Sequence, residues 1–554
     1  MSLQEAKEMA RLVKTFALTV LCVLVTGLLF SSQVADEAIN NSITLAFGDY
    51  MSGVKSADLV MTMAAAGNEY QPEGIYGAEF GTAGFIGETE RGPETPQLVT
   101  SFEEYARIFG SHPGRSYMPY EVKGYFDNGG KKLYVARVIS QTAETAKASL
   151  KSGKKNVCTI RAINAGEWGN RVAVKVLKGM NSTESNPTFM LEVFCFTYGK
   201  FSSLKSGNAD PQLADIIEVY NDISLLEGSP YYYQDVINQT SSLIRLEISG
   251  EDDGSLVPDA VDKAVWLSGG SDGDAPVLAD FLGKDEMNGN PATGLKALEK
   301  ISVISTLYSP ASCLCDGLEQ AMIKQCEALG DRTVILDTAF NDPHPSPWST
   351  YISSYAACYT PWIQVTGPDS KSVLVPPGGF IAGLYTRNDY VKGPNKSPEN
   401  EVLVGVTGLE QDLSPQARKA LSLRRVNSIK EVSGMGYVVG EFSTLSDLAD
   451  DYELLRYRRY VNYLRDSIST SLFWASGREW TPDMQSKVRI SIEDFLDREW
   501  TRGALAGSTQ IEAYYVRINI QQVPGGVDIP PSAEIEVGVA LKEPSQFFVF
   551  TVRK

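Results

Sequence analysis

Two histidines, His112 and His344, are all that a chain of 554 residues carries. That scarcity excludes histidine-rich metal sites, and it leaves any Ser-His-Asp triad only these two residues, both set in proline-containing, turn-like sequence. Nucleotide-binding and hydrolytic signatures are missing as well. There is no G-x-x-x-x-G-K-[ST] phosphate cradle, no H-E-x-x-H and no G-x-S-x-G nucleophile elbow. Gly434-Met-Gly436 begins like a dinucleotide loop, but the third glycine arrives one residue late at Gly440, so a turn before a strand is the reading. The loop Leu267-Ser-Gly-Gly-Ser-Asp-Gly273 presents Ser271, yet Asp272 and Asp274 would repel an anion, and a tight surface turn accounts for it. Positive charge is in deficit: 50 Lys and Arg against 68 Asp and Glu give a net charge of −18. Direct nucleic-acid binding needs the opposite balance. Cysteine is sparse and odd in number, with seven residues: Cys22, Cys158, Cys195, Cys313, Cys315, Cys326 and Cys358. A disulfide scaffold is excluded. Cys313, Cys315 and Cys326 match no common zinc spacing and read as small apolar residues. No catalytic, cofactor-binding or metal site is assigned, and no enzymatic activity is expected.

Long hydrophobic runs are also lacking, with one exception. Phe16 to Phe30 is uncharged and mostly apolar, but its fifteen residues fall short of the ~20 that cross a bilayer. A short membrane anchor, a signal-peptide core with a poor cleavage site, and a true start at Met51, Met61 or Met63 all stay open for residues 1–73, an atypical N-terminal arm.

What is present is an ordinary globular composition, 43% hydrophobic and 21% charged, in a length that suits about three to four domains. The rhythm predicts a multi-domain α/β and α+β protein. Residues 74–140 alternate strands and helices, with a capping box at Ser101-Phe-Glu-Glu104, an amphipathic stretch from Tyr117 to Phe126 and a strand from Leu133 to Val138. Residues 141–260 read as a β-rich inserted domain, with strand-like runs at Arg171 to Val176 and Phe189 to Phe196. Residues 261–440 return to an α/β rhythm, with buried strands at Ile301 to Leu307 and Thr333 to Leu336 around a helix from Leu318 to Leu329. Residues 441–554 run helix, helix, then three strands. The first helix carries an apolar stripe of Leu454, Tyr457, Val461, Leu464, Ile468 and Leu472. Arg456 and Arg459 are expected to point away from that stripe, with Arg458 and Arg465 flanking it. Such an arginine and tyrosine cluster is either a solvated face or a protein interface. The second helix opens at Thr481-Pro482.

Several segments, taken in order, resemble the contractile tail sheath family of contractile-tailed phages and related injection systems. They are Gly84-Phe-Ile-Gly-Glu-Thr-Glu-Arg-Gly-Pro93, Leu98-Val-Thr-Ser-Phe102, Phe109-Gly110, Gly124-Tyr-Phe-Asp-Asn-Gly-Gly130 and Tyr134-Val-Ala-Arg-Val138. Ala165-Gly-Glu-Trp-Gly-Asn170, the Leu267 to Gly273 loop, Tyr359-Thr-Pro-Trp362, Val375-Pro-Pro-Gly378 with Gly383 to Asp389, and Phe495 to Gly507 follow. The usual N-terminal arm motif is displaced: Pro72-Glu-Gly-Ile-Tyr76 lies almost against Gly84. The resemblance implies a structural subunit that stacks as hexameric rings around an inner tail tube and contracts to drive it through a target envelope. Partners would be further copies of the chain, the tube protein, and baseplate and terminator proteins, in a virion tail or injection particle assembled in the bacterial cytoplasm. It implies a subtilisin-like fold without proteolysis for 261–440. Phe547, Phe548, Val549, Phe550 and Val552 would then form an inter-subunit strand arm whose removal blocks assembly but leaves the monomer folded. Arg456, Arg458, Arg459 and Arg465 would face the tube. The competing reading is a membrane-anchored surface adhesin or enzyme with a β-rich ectodomain, resting on Phe16 to Phe30 and on residues 141–260.

Overall fold

Glycine and β-branched residues open the central sheet: Thr82–Glu88 (TAGFIGE) is buried along nearly its whole length, as a strand covered on both faces must be. The computed structural model describes residues 74–554 except 112–113, 184–185, 205–208, 250–255, 343–350, 369, 447–450 and 522–531. The apolar run at 16–30, His112 and His344 lie outside the described residues.

Thr82–Glu88 sits inside an eight-stranded sheet. Across the sheet the strands are Gly436–Val439, Val426–Val432, Ala356–Thr360, Thr333–Asp337, Thr306–Tyr308, Thr82–Glu88, Lys132–Val138 and Gln97–Val99. The six inner strands are parallel, and the two edges are antiparallel. Helices Met118–Asp127 and Gly378–Lys392 cover one face, packing on Phe85, Val135, Tyr308 and Ile335. Helices Gly294–Glu299 and Leu318–Leu329 cover the other, on Ile86, Ala136, Leu307 and Val334. The sheet draws strands from both sides of a long insertion.

That insertion is all antiparallel. Lys147–Ser152, Lys155–Ala162 and Ile244–Ile248 make one sheet. Val265–Trp266, Val172–Lys178, Phe189–Cys195 and Ile216–Ile223 make a second. Inward side chains of both, including Leu150, Cys158, Ile160, Val174 and Leu191, share one core. Two of the family-like segments meet here. Asn170 and Gly270 exchange hydrogen bonds, side-chain amide to backbone carbonyl and backbone amide to side-chain oxygen, each 2.8 Å long. Asp272 accepts from the Glu167 amide at 2.8 Å. A Cβ at Gly270 would lie 2.5 Å from the Gly166 carbonyl oxygen, so only glycine allows this approach. Ser271 contributes its backbone, bridged to Glu144 at 2.9 and 3.0 Å. The loop is a clasp.

The C-terminal lobe packs helices Leu455–Ser471 and Pro482–Thr501 on an antiparallel sheet of Tyr514–Gln521, Ser532–Ala540 and Phe547–Arg553. Thr481 caps the second helix by accepting from the Met484 amide at 3.2 Å, with Pro482 at its first position. The first described residues are tied to this lobe. Ile75 is buried in its core, its carbonyl accepts from Arg498 at 2.7 Å, and the Ala78 amide donates to Ser467 at 2.8 Å.

Two local expectations need correction. Ser101 caps its helix, accepting from the Glu104 amide at 3.1 Å, but the Glu104 carboxylate reaches the Thr100 amide at 2.8 Å instead of closing a box on Ser101. Ile301 to Leu307 is a strand only over Thr306–Tyr308. The buried Arg332 donates to the carbonyls of Leu298 and Ile301 at 2.8 and 2.9 Å, and this fixes the preceding residues as a turn.

Candidate functional site

The arginine helix Leu455–Ser471 is buried on more than its stripe. Of the stripe, Val461, Leu464, Ile468 and Leu472 are buried while Leu454 and Tyr457 are half-buried, and off the stripe Leu455, Arg459, Tyr460 and Asn462 are inside as well. One side faces the terminal sheet; the other faces the central-sheet lobe, and there the arginines find partners. Arg459, 6% exposed, corrects the expectation of an outward guanidinium. It forms a two-pronged ion pair with Asp389 at the end of helix Gly378–Lys392, with Nη1 to Oδ1 at 2.8 Å and Nη2 on Oδ2. Its guanidinium also lies 4.6 Å above the Tyr385 ring. Arg458 is layered between Tyr452 and Tyr355, at 3.5 and 4.2 Å from the ring centres, and donates to Ser354 at 2.7 Å. Arg465 rests on Gly330, where an added Cβ would fall 1.7 Å from its Nη1. Gly330 caps helix Leu318–Leu329 in a left-handed conformation, so the cation sits at a helix C-terminus, where the dipole favours it. Arg456 donates to the Tyr457 hydroxyl at 3.0 Å. The arginines thus form an interface, but Arg458, Arg459 and Arg465 spend their charge inside the subunit, joining its C-terminal lobe to its central sheet.

The terminal strand also has an internal role. Phe547–Arg553 pairs with Ser532–Ala540 in the register Phe548↔Val539, Phe550↔Val537 and Val552↔Ile535. Phe548, Phe550 and Val552 are buried, with Phe548 4.9 Å from Tyr452 and 5.4 Å from Tyr457 between ring centres. Val549 is 49% exposed, and Phe547 packs its ring 5.0 Å from Tyr515 on the outer face. The strand is therefore part of its own lobe and not a free arm. Removing it would uncover the core, contrary to the expectation of a folded truncated monomer. Among the described residues no strand pairs with its outer edge.

A third cluster went unforeseen. Glu121, Tyr308 and Asp337 are all 0% exposed and lie where helix Gly378–Lys392 begins against the ends of two parallel strands. The Tyr308 hydroxyl is 2.8 Å from Asp337 Oδ2 and 3.1 Å from Glu121 Oε2, and the Gly379 amide donates to the same Glu121 oxygen at 2.7 Å. Burial, then the Asp337 charge, pushes Glu121 well above the ordinary carboxylate range, and burial pushes Asp337 up to about 7. Gly378 and Gly379 make this approach possible: a Cβ would lie 2.1 Å from the Tyr308 ring at the first and 2.6 Å from Glu121 Oε2 at the second. The signal in the sequence was Glu121 itself, three after Met118 and four before Tyr125 on a buried helical face.

Among the described residues no group of His, Cys, Asp and Glu is arranged to hold a metal ion, and no helix is long and apolar enough to cross a membrane. Cys195, Cys326 and Cys358 are buried as free thiols.

No protein-family model matches the chain. Over 163 residues it is 28% identical to the tail sheath protein of Vibrio phage KVP40, a match that takes in 29% of this chain. The chain spans only about a fifth of that relative, 21% of its length. Among solved structures, the sheath tail protein of Listeria innocua superposes with a TM-score of 0.58 at 12% identity, covering 87% of this chain and 96% of that one. The sheath tail protein of Desulfitobacterium hafniense gives a TM-score of 0.52 at 13% identity, covering 86% and 97%. The chain has the fold of tail sheath proteins, as the ordered motifs of its sequence indicated.

Proposed function

We propose that the chain is the structural subunit of a contractile tail sheath. It polymerises as stacked hexameric rings around an inner tube and contracts to drive that tube through a target envelope. The observation that carries this reading is the extent of the fold likeness, which takes in most of the described chain and nearly all of each solved sheath tail protein. The match to a phage tail sheath protein supports it at the level of sequence. The central sheet, parallel inside and covered on both faces, suits the subtilisin-like domain that the family resemblance implies, used here as a scaffold. Partners are further copies of the chain, the inner tube, and the baseplate and terminator that close its ends, in a virion tail or injection particle.

Contraction requires subunits that rotate as rigid bodies while staying linked. The lobe-joining arginines supply rigidity within a subunit. The outer edge of Phe547–Arg553 supplies linkage, since a bare strand edge accepts an extended segment from a neighbour through main-chain hydrogen bonds. Arg456 alone of the four arginines keeps the tube-facing role. Negative-stain microscopy of the purified chain tests the reading: tubes or stacked rings are expected, and a chain that stays monomeric at high concentration with tube protein present would overturn it.

A further inference from the structure

The Glu121–Tyr308–Asp337 cluster poses a question of proton count. A phenol has one hydrogen to give, and the shorter contact, 2.8 Å, assigns it to Asp337. The 3.1 Å contact between the Tyr308 and Glu121 oxygens then has no hydrogen unless the carboxyl brings one. Glu121 Oε1 and Asp337 Oδ1 are buried without a hydrogen-bond partner. Two bare charges at this spacing in a dry core would repel each other, with only the backbone amides at the start of helix Gly378–Lys392 set against that repulsion.

We propose that Glu121 is held as a neutral carboxylic acid, donating to the Tyr308 oxygen while Tyr308 donates to Asp337, so that one proton pins helix Met118–Asp127 to the central sheet. The groups around the chain of hydrogen bonds supply no cation to compensate a second negative charge. From the helix Gly378–Lys392 come only the Gly378 and Gly379 amides. From the other packed elements, the groups acting on the cluster or its thiols are Cys313 after strand Thr306–Tyr308, Cys358 on strand Ala356–Thr360 and Glu319 on helix Leu318–Leu329. None is a cation. Through this proton the helix is tied to strands Thr306–Tyr308 and Thr333–Asp337, so its loss loosens the core of the subunit and not a surface loop. This inference concerns the single subunit and stands apart from whether the chain forms a sheath.

The sign of the effect follows from linkage. Glu121 has its folded pKa raised above its ordinary value of 4.5. Its contribution is complete below that value and is lost as pH rises towards the folded pKa. The test compares urea unfolding of the wild type and Glu121→Gln, whose amide imitates the neutral acid, from mildly acidic to mildly alkaline pH. The folding constant of the wild type relative to E121Q should fall about tenfold per pH unit until Glu121 ionises. Parallel curves overturn the proposal. Should E121Q fail to fold, infrared spectroscopy decides. In protein labelled with 13C-glutamate, an isotope-shifted C=O band of a buried protonated carboxyl is expected at neutral pH in a Glu319→Gln background, which separates Glu121 from Glu319 and, through the label, from Asp337. It should vanish on alkaline titration together with the near-ultraviolet signal of the aromatic core. Absence of that band at neutral pH overturns the proposal.

Discussion

At the scale of single residues, buried charge is concentrated where large pieces of the chain meet. Arg459 and Asp389 are both nearly sealed from solvent, 6% and 2% exposed, and each would be a bare charge without the other. Replacing a buried pair by apolar groups is often tolerated, whereas removing one partner costs about 3–5 kcal/mol. Arg459→Met is therefore expected to destabilise the subunit by about that amount, and adding Asp389→Asn should recover a good part of it, as chemical denaturation would measure. Equal stability of the single mutant and wild type would show that the pair does not join the lobes. Arg456 is a different case, since its guanidinium turns to its neighbour Tyr457, donating to the hydroxyl and lying 4.8 Å over the ring. Arg456→Glu should cost the monomer only about 0.5–1 kcal/mol, the scale of its cation–π contact with Tyr457. It should weaken recruitment of purified tube protein in a co-sedimentation assay. Undiminished recruitment would remove Arg456 from the tube-facing surface.

At the scale of elements, Phe547–Arg553 decides between a dispensable arm and an integral strand. Phe548, Phe550 and Val552 are 2%, 8% and 3% exposed. Truncating a buried aromatic alone costs about 3–5 kcal/mol. Deleting residues 547–554 is thus expected to abolish the cooperative unfolding of the C-terminal lobe and yield aggregating protein, measurable by circular dichroism and sedimentation. A soluble, cooperatively folded truncation would restore the free-arm reading. The sequence reveals this strand plainly, because alternation over Phe547–Arg553 puts every second residue inside. Helices Leu318–Leu329 and Pro482–Thr501 are equally legible, marked by periodicity and, in the second, by its cap. What periodicity cannot supply is a distant partner. Asp389 stands 70 residues from Arg459, so the arginine helix reads as having one buried side when it has two. Ile301 to Ile304 fails as a strand for the same reason, because Arg332 claims the turn carbonyls from about thirty residues away. The buried carboxylates were half visible: Glu121 breaks an apolar stripe, but nothing local pairs it with Asp337.

At the scale of the whole molecule, mechanical work must come from somewhere. The sequence has no P-loop and no nucleophile elbow. The loop around Ser271 is a backbone clasp, with Asp272 committed to the Glu167 amide. We propose that work in the sheath is stored in the lattice, each subunit assembling in a less favourable arrangement and repacking to a better one. A bias of a few kcal/mol per subunit is the usual scale of a two-state switch, and summed along a tube it is ample. Such a scheme places demands on the subunit itself. It must stay rigid while its neighbours shift, or the bias dissipates as internal deformation. The Arg459–Asp389 pair, the layered Arg458 and the Asn170–Gly270 clasp all resist that loss at the seams between parts of the chain. Contraction of purified particles should therefore run to completion in nucleotide-free buffer once triggered by acid, denaturant or receptor. Ser271→Ala, which leaves the backbone bridge to Glu144 in place, should contract like the wild type when particle lengths are measured by electron microscopy. A requirement for nucleotide, or failure of S271A particles that assemble normally, would show that the chain's energy comes from chemistry and not from its lattice.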